Sequence, residues 1–158
     1  MGNQNIEFCG KLLGPGQPPF IVAEVGFNHN GDVELAKKMI ESAAKNGADA
    51  VKLQTFVAKE MISNRLIADD PDNPGHEIPL YEFFQRYELS RSDYETLFAY
   101  AKTLNIPLFS TPFDESSLQM LTELGVPAIK IASPDLTFIP FLERVAERGL
   151  PVVLSTGM

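Results

Sequence analysis

The chain has 158 residues, of which 44% are hydrophobic and 22% are charged. This balance supplies enough apolar side chains for a sizeable core, as expected of an ordinary globular domain. A formal net charge of -8 argues against a general affinity for nucleic acid or for anionic membrane surfaces, because both are negatively charged. An anionic ligand would therefore have to be held by local lysines and backbone amides.

The amino-terminal sequence MGNQNIEFCG lacks the basic segment and the apolar core of a signal peptide. No apolar run approaches the roughly 20 residues that span a bilayer, and the single cysteine cannot form an internal disulfide. We therefore expect a cytoplasmic protein with neither nucleic acid nor membrane among its partners. Residues 1–19 are predicted to form a hairpin-like cap at the bottom of a sheet.

From residue 20 onward, short β-type runs alternate with longer stretches of helical spacing. The predicted strands are FIVAEVG from Phe20, AVKLQTF from Ala50, IPLFSTP from Ile106, AIKIASP from Ala128 and PVVLSTG from Pro151. The predicted helices between them are DVELAKKMIESAAKNG, SDYETLFAYAKTLN, DESSLQMLTELGV and FIPFLERVAERG. This alternation implies parallel strands covered by helices.

Local signals set the helix boundaries and mark one long interruption. Asp32, Ser92 and Asp114 each precede a helical pattern and can accept hydrogen bonds from its free amides as N-caps. The interruption, from Val57 to Arg91, is predicted to be an extended loop with one helical turn. Long loops of this kind often form lids or binding walls.

Two α/β architectures fit this order of elements. Five strands and four helices resemble the first part of a (β/α)8 barrel, which typically needs about 250 residues. In that case residues 20–158 are the amino-terminal part of a barrel whose later strands are absent. The alternative is a five-stranded doubly wound sheet without its final helix.

Every predicted strand ends in polar residues: Glu24, Lys52 with Gln54, Ser110 with Thr111, Lys130 with Ser133, and Ser155 with Thr156. This distribution favours the barrel, since all strands of a barrel direct their carboxyl ends to one mouth. Two lysines at one mouth fit either a phosphorylated substrate or an amine of low pKa that forms a Schiff base. The hydroxyl groups support the first interpretation, because phosphate oxygens accept several hydrogen bonds.

Two acidic residues have alternative interpretations. Glu24 is either the counter-ion of Lys52 or an acceptor for substrate hydroxyls. Asp135 is either part of a loop turn or a second acid for hydroxyl binding or proton transfer. FNHNGD, which contains Asn28, is by itself typical of a turn before a helix.

The motifs IVAEVGFNHNGD, GADAVKLQTF, PLFSTPFD, VPAIKIAS and PVVLSTGM occur in this order. Together they resemble the amino-terminal barrel of the sialic acid synthases. The resemblance implies condensation of phosphoenolpyruvate with an N-acetylated amino sugar such as N-acetylmannosamine, giving a nine-carbon 2-keto sugar acid and phosphate. It also implies that C3 of the enolpyruvate attacks the sugar aldehyde, that water adds at C2, and that phosphate leaves by C–O cleavage.

The resemblance assigns roles to individual residues. Phosphoenolpyruvate ligands are implied at Lys52, Thr111, Lys130, Ser133 and Ser155. Sugar-binding positions are implied at Glu24 and Gln54, and Asn28 is a further candidate for substrate binding. Glu24, Lys52, Lys130 and Asp135 are the candidate catalytic residues.

Two departures from the family pattern limit this transfer. Many family members have Ser-Gly-Glu where this chain has Ser133-Pro134-Asp135, which shortens the acid by one methylene. The resemblance also implies a divalent metal, manganese or magnesium, whose histidine ligands lie on later strands outside this chain. A homodimer is implied for the complete enzyme, whose small carboxyl-terminal antifreeze-like domain completes the sugar site. We therefore expect this chain to lack catalysis alone.

Several alternatives remain open at this stage. The related legionaminic and pseudaminic acid synthases use diacetylated, deoxygenated sugars. A Schiff-base aldolase would use Lys52 or Lys130 as its nucleophile. A barrel fragment without catalysis would bind a partner or a phosphorylated sugar.

Overall fold

The structure is a computed structural model that describes residues 5–157; residues 1–4 and Met158, which belong to the predicted cap and to the last motif, lie outside the described residues. Its strands are β1 (Ile6–Phe8), β2 (Lys11–Leu13), β3 (Val22–Gly26), β4 (Ala50–Thr55), β5 (Ile67–Asp69), β6 (Glu77–Pro79), β7 (Leu108–Pro112), β8 (Ile129–Ile131) and β9 (Val152–Leu154). Its α-helices are α1 (Val33–Lys45), α2 (Ala58–Met61), α3 (Leu80–Gln85), α4 (Arg91–Thr103), α5 (Glu115–Glu123) and α6 (Ile139–Ala146), and a 3-10 helix spans Ser133–Thr137.

Five strands form one parallel sheet in the order β3-β4-β7-β8-β9. A doubly wound sheet would reverse its strand order at a switch point and carry helices on both faces. Here the strand order follows the chain, and helices α1, α4, α5 and α6 share one core with a single face of the sheet. The predicted fold is therefore confirmed: the chain contains five successive strands of a (β/α)8 barrel.

The four predicted helices are confirmed, and so are two of their three predicted caps. Asp32 and Asp114 each accept hydrogen bonds from backbone amides in the first turn of α1 and α5. The prediction that Ser92 caps α4 is wrong. Ser90 is the N-cap, because the side chains of Ser90 and Asp93 each accept a hydrogen bond from the other's backbone amide.

The connection between β4 and α4, which we call the β4–α4 segment (residues 57–90), is more structured than predicted. It contains α2, the antiparallel hairpin of β5 and β6, and α3. Each of these elements has three to six residues. Helical structure is present, as predicted, but the prediction of an otherwise extended loop is wrong, because such short elements show no recognisable hydrophobic period.

The two faces of the parallel sheet are covered differently. On the helix side, Leu53 of β4 packs in the core with Ile40 of α1 and Leu97 of α4. On the opposite face, which we call the inner face, Phe109 packs against Phe8 of the β1–β2 hairpin, with ring centroids 5.9 Å apart. The hairpin thus covers the amino-terminal end of the inner face and leaves its carboxyl-terminal end to polar side chains.

Among residues 5–157, no helix has the length and apolar character needed to cross a lipid bilayer.

Candidate functional site

Polar side chains occupy the inner face where the strands end. Because side chains alternate along a strand, Leu53 joins the helix-side core while Lys52 and Gln54 lie on the inner face of β4. In the strand register, Lys52 is paired with Glu24 of β3, and Gln54 is paired with Thr111 of β7. The strand pairing therefore places a carboxylate, an ammonium, an amide and a hydroxyl group side by side.

The Lys52 ammonium lies between an acid and a hydroxyl group. Its side chain is only 12% exposed and forms an ion pair with Glu24. Nζ also donates a hydrogen bond to Oγ1 of the buried Thr111, at 3.3 Å. Burying an ammonium is unfavourable without an anionic partner, and Glu24 supplies that partner in the free protein. An anionic ligand reaching Lys52 would therefore compete with Glu24 or add to it.

Lys130 on β8 has a different environment. Its Nζ donates hydrogen bonds to Oγ of Ser155, at 2.6 Å, and to the carbonyl of Ile131, both neutral oxygens. Burial lowers the pKa of Lys130, and repulsion from Lys52 lowers it further, while Glu24 and Asp135 partly offset both effects. The positive charges of the two lysines therefore repel each other, and an anion bound between them would relieve this repulsion.

Ser133 and Asp135 follow β8 in the 3-10 helix, where both side chains are half-buried. Burial raises the pKa of Asp135, and the nearby Lys130 charge lowers it in part. Oδ2 of Asp135 is buried and has no hydrogen-bond partner among the described residues. Asp135 also lines a cavity of about 270 Å³ with Phe113, Phe138 and other residues. A carboxyl group in this position is suited to accept or donate a proton.

Gly26 creates room for the polar side chains on the β3–β4 side. Its φ is +56°, and a Cβ there would lie 3.3 Å from Oε1 of Glu24 and 3.5 Å from Nε2 of Gln54. Asn28 stands apart from this group, since its exposed side chain donates to the carbonyl of Val25 at 3.0 Å. That contact supports the turn, and the hydrogen bonds of Asn28 do not connect it to the lysines.

Not every polar residue at a strand end faces the mouth. Ser110 lies on the helix side of the sheet, where its hydroxyl is 2.7 Å from that of Thr55, and both are buried. The expectation that all these residues converge is therefore wrong for Ser110. Because side chains alternate along a strand, Ser110 and its neighbour Thr111 lie on opposite faces of the sheet.

Tyr94 supports the candidate site, although the sequence did not indicate it. From α4, its hydroxyl donates to the backbone carbonyl of Gln54 at 3.0 Å, next to the site. The side chain is 3% exposed, and burial raises the pKa of its hydroxyl. In the sequence it looks like one more residue of the apolar helical pattern, so no signal could have identified this contact.

A larger cavity, of about 630 Å³, lies at the other end of the sheet and is lined mainly by apolar residues such as Leu13, Pro18 and Phe20. Its charged residues, Lys11 and Asp49, form an ion pair with each other. Asp49 also accepts a hydrogen bond from the Ile21 amide at 2.6 Å. This cavity is not lined by the lysine and hydroxyl side chains that meet on the inner face. We therefore place the candidate site at the carboxyl ends of the strands.

Within residues 5–157, no group of three or more His, Cys, Asp or Glu side chains is arranged to hold a metal ion. His29, the histidine nearest to the site in the sequence, accepts a hydrogen bond from the Gly31 amide through Nδ1, at 3.1 Å. Burial lowers its pKa, and Asp32 partly raises it. The described residues therefore do not fit a metal centre by themselves.

Comparison with known proteins agrees with this geometry, since residues 39–158 match the NeuB family. The chain belongs to the NeuB family. It is 40% identical over 150 residues to N,N'-diacetyllegionaminic acid synthase of Legionella pneumophila, covering 94% of this chain and 42% of that protein. It is 37% identical over 156 residues to human N-acetylneuraminate-9-phosphate synthase, covering 97% of this chain and 43% of that protein.

A solved structure of this family shows the same architecture. The N-acetylneuraminic acid (sialic acid) synthetase of Leptospira borgpetersenii, crystallised with citrate, superposes with a TM-score of 0.85 at 35% identity. The match covers 99% of this chain and 50% of that one. The resemblance to sialic acid synthases is thus confirmed at the level of family and fold, and this chain spans less than half the length of the two curated relatives.

Proposed function

We propose that this chain forms part of a synthase that condenses phosphoenolpyruvate with an N-acetylated hexosamine resembling N-acetylmannosamine. The products are a nine-carbon 2-keto sugar acid and phosphate. The observation that carries the proposal is the convergence of Lys52 and Lys130, each beside a hydroxyl group, at the carboxyl ends of parallel strands. Family membership supports the same chemistry.

On the phosphoenolpyruvate side, the proposed ligands are Lys52, Thr111, Lys130, Ser133 and Ser155. Phosphoenolpyruvate carries a phosphate and a carboxylate, so two ammonium groups can neutralise it and the hydroxyl groups can donate to its oxygens. Preorganised cations also stabilise charge that develops as C3 bonds to the aldehyde carbon, water adds at C2 and the C2–O bond to phosphate breaks.

On the sugar side, we assign Glu24 and Gln54 to the substrate hydroxyl or amide groups. Their side chains lie beside Gly26 on the inner face, and Asn28 is a candidate from the following turn. Asp135 is proposed to move a proton, because burial raises its pKa and one of its oxygens has no partner among the described residues. Its side chain is one methylene shorter than the glutamate common in the family. The proposed role therefore rests on the surroundings of Asp135 in this structure.

Several other expectations are kept here as proposals. The manganese or magnesium ion, the homodimer and the cytoplasmic setting all remain predictions. So does the division into a cap of residues 1–19 and a partial barrel of residues 20–158. The legionaminic and pseudaminic acid synthases are the alternatives for the sugar, and a barrel fragment without catalysis is the alternative for this chain alone.

The deciding experiment measures phosphate release from phosphoenolpyruvate by the longest natural form of the protein, supplied with manganese. The panel contains N-acetylmannosamine, other N-acetylated hexosamines, diacetylated deoxygenated hexosamines and a reaction without sugar. Release that depends on one of these sugars supports the synthase and identifies its branch. Phosphoenolpyruvate labelled with ¹⁸O at the bridging position should yield labelled phosphate, because the proposed mechanism breaks the C–O bond.

A second candidate function, a Schiff-base aldolase, is favoured by one observation. Lys130 donates to neutral oxygens and has a lowered pKa, as a nucleophilic amine requires. Borohydride reduction in the presence of a 2-oxo acid substrate would trap a covalent adduct on Lys130 only in that case. Adduct formation without phosphate release from phosphoenolpyruvate would replace the synthase with the aldolase.

A further inference from the structure

The β4–α4 segment (residues 57–90) is fastened to the sheet beside the candidate site. At its start, the backbone amide of Val57 donates to the Asp114 carboxylate at 2.7 Å, and Asp114 also caps α5. The next amide, that of Ala58, donates to the carboxylate of Glu88 at the far end of the same segment. These bonds hold both ends of the segment together where β4 ends.

Arg86 fixes the middle of the segment. Its guanidinium donates two parallel hydrogen bonds to Asp70, at 3.0 and 2.8 Å, and a third to Asp72, at 2.8 Å. The Asp70 side chain is only 5% exposed, and its backbone amide also donates to the carbonyl of His76 at 2.8 Å. The hydrogen bonds from Arg86 lower the pKa of Asp70. A bidentate contact of this kind defines geometry, so Arg86 ties α3 to the β5–β6 hairpin.

The same part of the segment rests on the turn after β3. The ring of Phe27 lies 5.9 Å from that of Phe84 and 5.5 Å from that of Tyr87, measured between centroids. Gly31 packs so closely that an added Cβ would lie 2.6 Å from the backbone carbonyl oxygen of Arg86. Phe84 and Arg86 therefore contact the turn that carries Asn28.

These contacts lie on one side of the candidate site. Phe27 directly follows β3, which carries Glu24, and Phe56 directly follows β4, which carries Gln54. The rings of Phe27 and Phe56 are 6.3 Å apart and both contact Phe84. The β4–α4 segment is thus packed over the ends of the two strands that bear the proposed sugar ligands.

We propose that Arg86 is a positioning residue that holds the β4–α4 segment as the wall of the sugar side of the site, by clamping Asp70 and Asp72 to the end of α3 that packs on the turn from Phe27 to Gly31. The proposal rests on the proposed function. Of the residues assigned to phosphoenolpyruvate, Lys52 lies on β4, whereas Lys130 lies on β8 and Ser155 directly follows β9, at the opposite side of the sheet. Loss of the clamp should therefore affect the sugar more strongly than phosphoenolpyruvate.

The test compares Arg86→Gln with Arg91→Gln in the longest natural form of the protein. Arg91 is a matched control, because it also contacts two carboxylates, those of Glu95 and Glu123, but on the helix surface. In Arg86→Gln we expect the KM for the sugar to rise about tenfold, while the KM for phosphoenolpyruvate stays within about twofold of wild type. Arg91→Gln should leave both KM values unchanged.

Amide hydrogen exchange provides a readout that is independent of turnover. Residues 67–79 should exchange faster in Arg86→Gln than in wild type and at the wild-type rate in Arg91→Gln. If Arg86→Gln does not fold, Asp72→Asn removes one arm of the clamp at a side chain that is 51% exposed. That variant should show smaller changes in the same direction.

The outcomes separate the two proposals. Equal effects on both KM values, or an unchanged sugar KM despite faster exchange, would overturn the role of Arg86. If wild type releases no phosphate with any sugar, the proposed function fails and the assignment to a sugar site fails with it. In that case only the hydrogen exchange data test the clamp. Unchanged exchange in Arg86→Gln would then show that Arg86 does not hold residues 67–79 in place.

Discussion

The two sides of the candidate site differ in how completely the chain assembles them. On the β3–β4 side, Lys52 has a carboxylate partner, and the β4–α4 segment packs over the strand ends. On the β8–β9 side, Lys130 contacts neutral oxygens and Asp135 keeps an oxygen without a partner among the described residues. Val152 and Leu154 of β9 are 44% and 46% exposed.

This contrast shows that one inner face can contain a charge-balanced, preorganised half and a half that retains unused hydrogen-bonding capacity. The first half is suited to hold a substrate in one geometry. The second half is suited to groups whose charge changes during reaction, since the pKa values of Lys130 and Asp135 are already displaced. Four predictions test this contrast.

The largest effect is expected from removing either lysine in the longest natural form of the protein. Lys52→Ala and Lys130→Ala should each reduce turnover about a hundredfold or more, because each removes a preorganised cation from the proposed phosphoenolpyruvate site. Lys45→Ala, at a side chain that is 69% exposed and paired with Glu41, is the control and should keep normal turnover. Circular dichroism should show that all three variants remain folded; near-normal turnover in both inner-face variants would contradict the site assignment.

The next effect concerns the packing of the β4–α4 segment on the β3 turn. Gly31→Ala introduces a Cβ 2.6 Å from the Arg86 carbonyl oxygen at a φ of +74°. Gly125→Ala has a similar φ of +71° with nothing within 4 Å of the added atom. Backbone strain alone should lower the free energy of unfolding by about 1–2 kcal/mol in Gly125→Ala. The clash should add about 1–3 kcal/mol in Gly31→Ala, as measured by urea unfolding, whereas equal losses would argue against close packing there.

A smaller effect is expected at the hydroxyl that supports the end of β4. Tyr94→Phe removes the hydrogen bond to the Gln54 carbonyl and should lower the free energy of unfolding by about 1 kcal/mol. Tyr100→Phe, at a half-buried position of the same helix, is the control. If the two variants unfold at the same urea concentration, Tyr94 does not stabilise the strand end through its hydroxyl.

The smallest expected effect is a shift in the pH at which Lys130 loses its proton. Because its pKa is lowered, Lys130 should become neutral at lower pH than Lys45, whose pKa is raised mainly by its hydrogen bond to Glu41. Competitive acetylation across a pH series, read by mass spectrometry, should therefore label Lys130 at lower pH. Glu24→Gln should shift that profile to still lower pH, since Glu24 raises the pKa of Lys130. A Lys130 profile at or above that of Lys45 would contradict the proposed environment.

Local patterns in the sequence predicted the long elements and their order. The helical spacing of α1 and α4, the caps at Asp32 and Asp114, and the apolar runs of β4 and β7 are all present where expected. Those features depend on neighbours within a few residues, so the chain specifies them without reference to distant contacts. The β4–α4 segment escaped prediction because its short elements are stabilised by the Arg86 clamp and the aromatic cluster, which join residues far apart in the sequence.

The sequence by itself therefore determined the family, the alternation of strand and helix, and the placement of Lys52 and Gln54 on one side of β4, because a period of two follows from strand geometry alone. Only the tertiary structure decided which partner each polar group has. It paired Lys52 with Glu24, set Lys130 beside Ser155 and turned Ser110 toward Thr55. The physical reason is that strand register and packing against the helices bring these groups together, and no local pattern encodes contacts between residues so far apart in the chain.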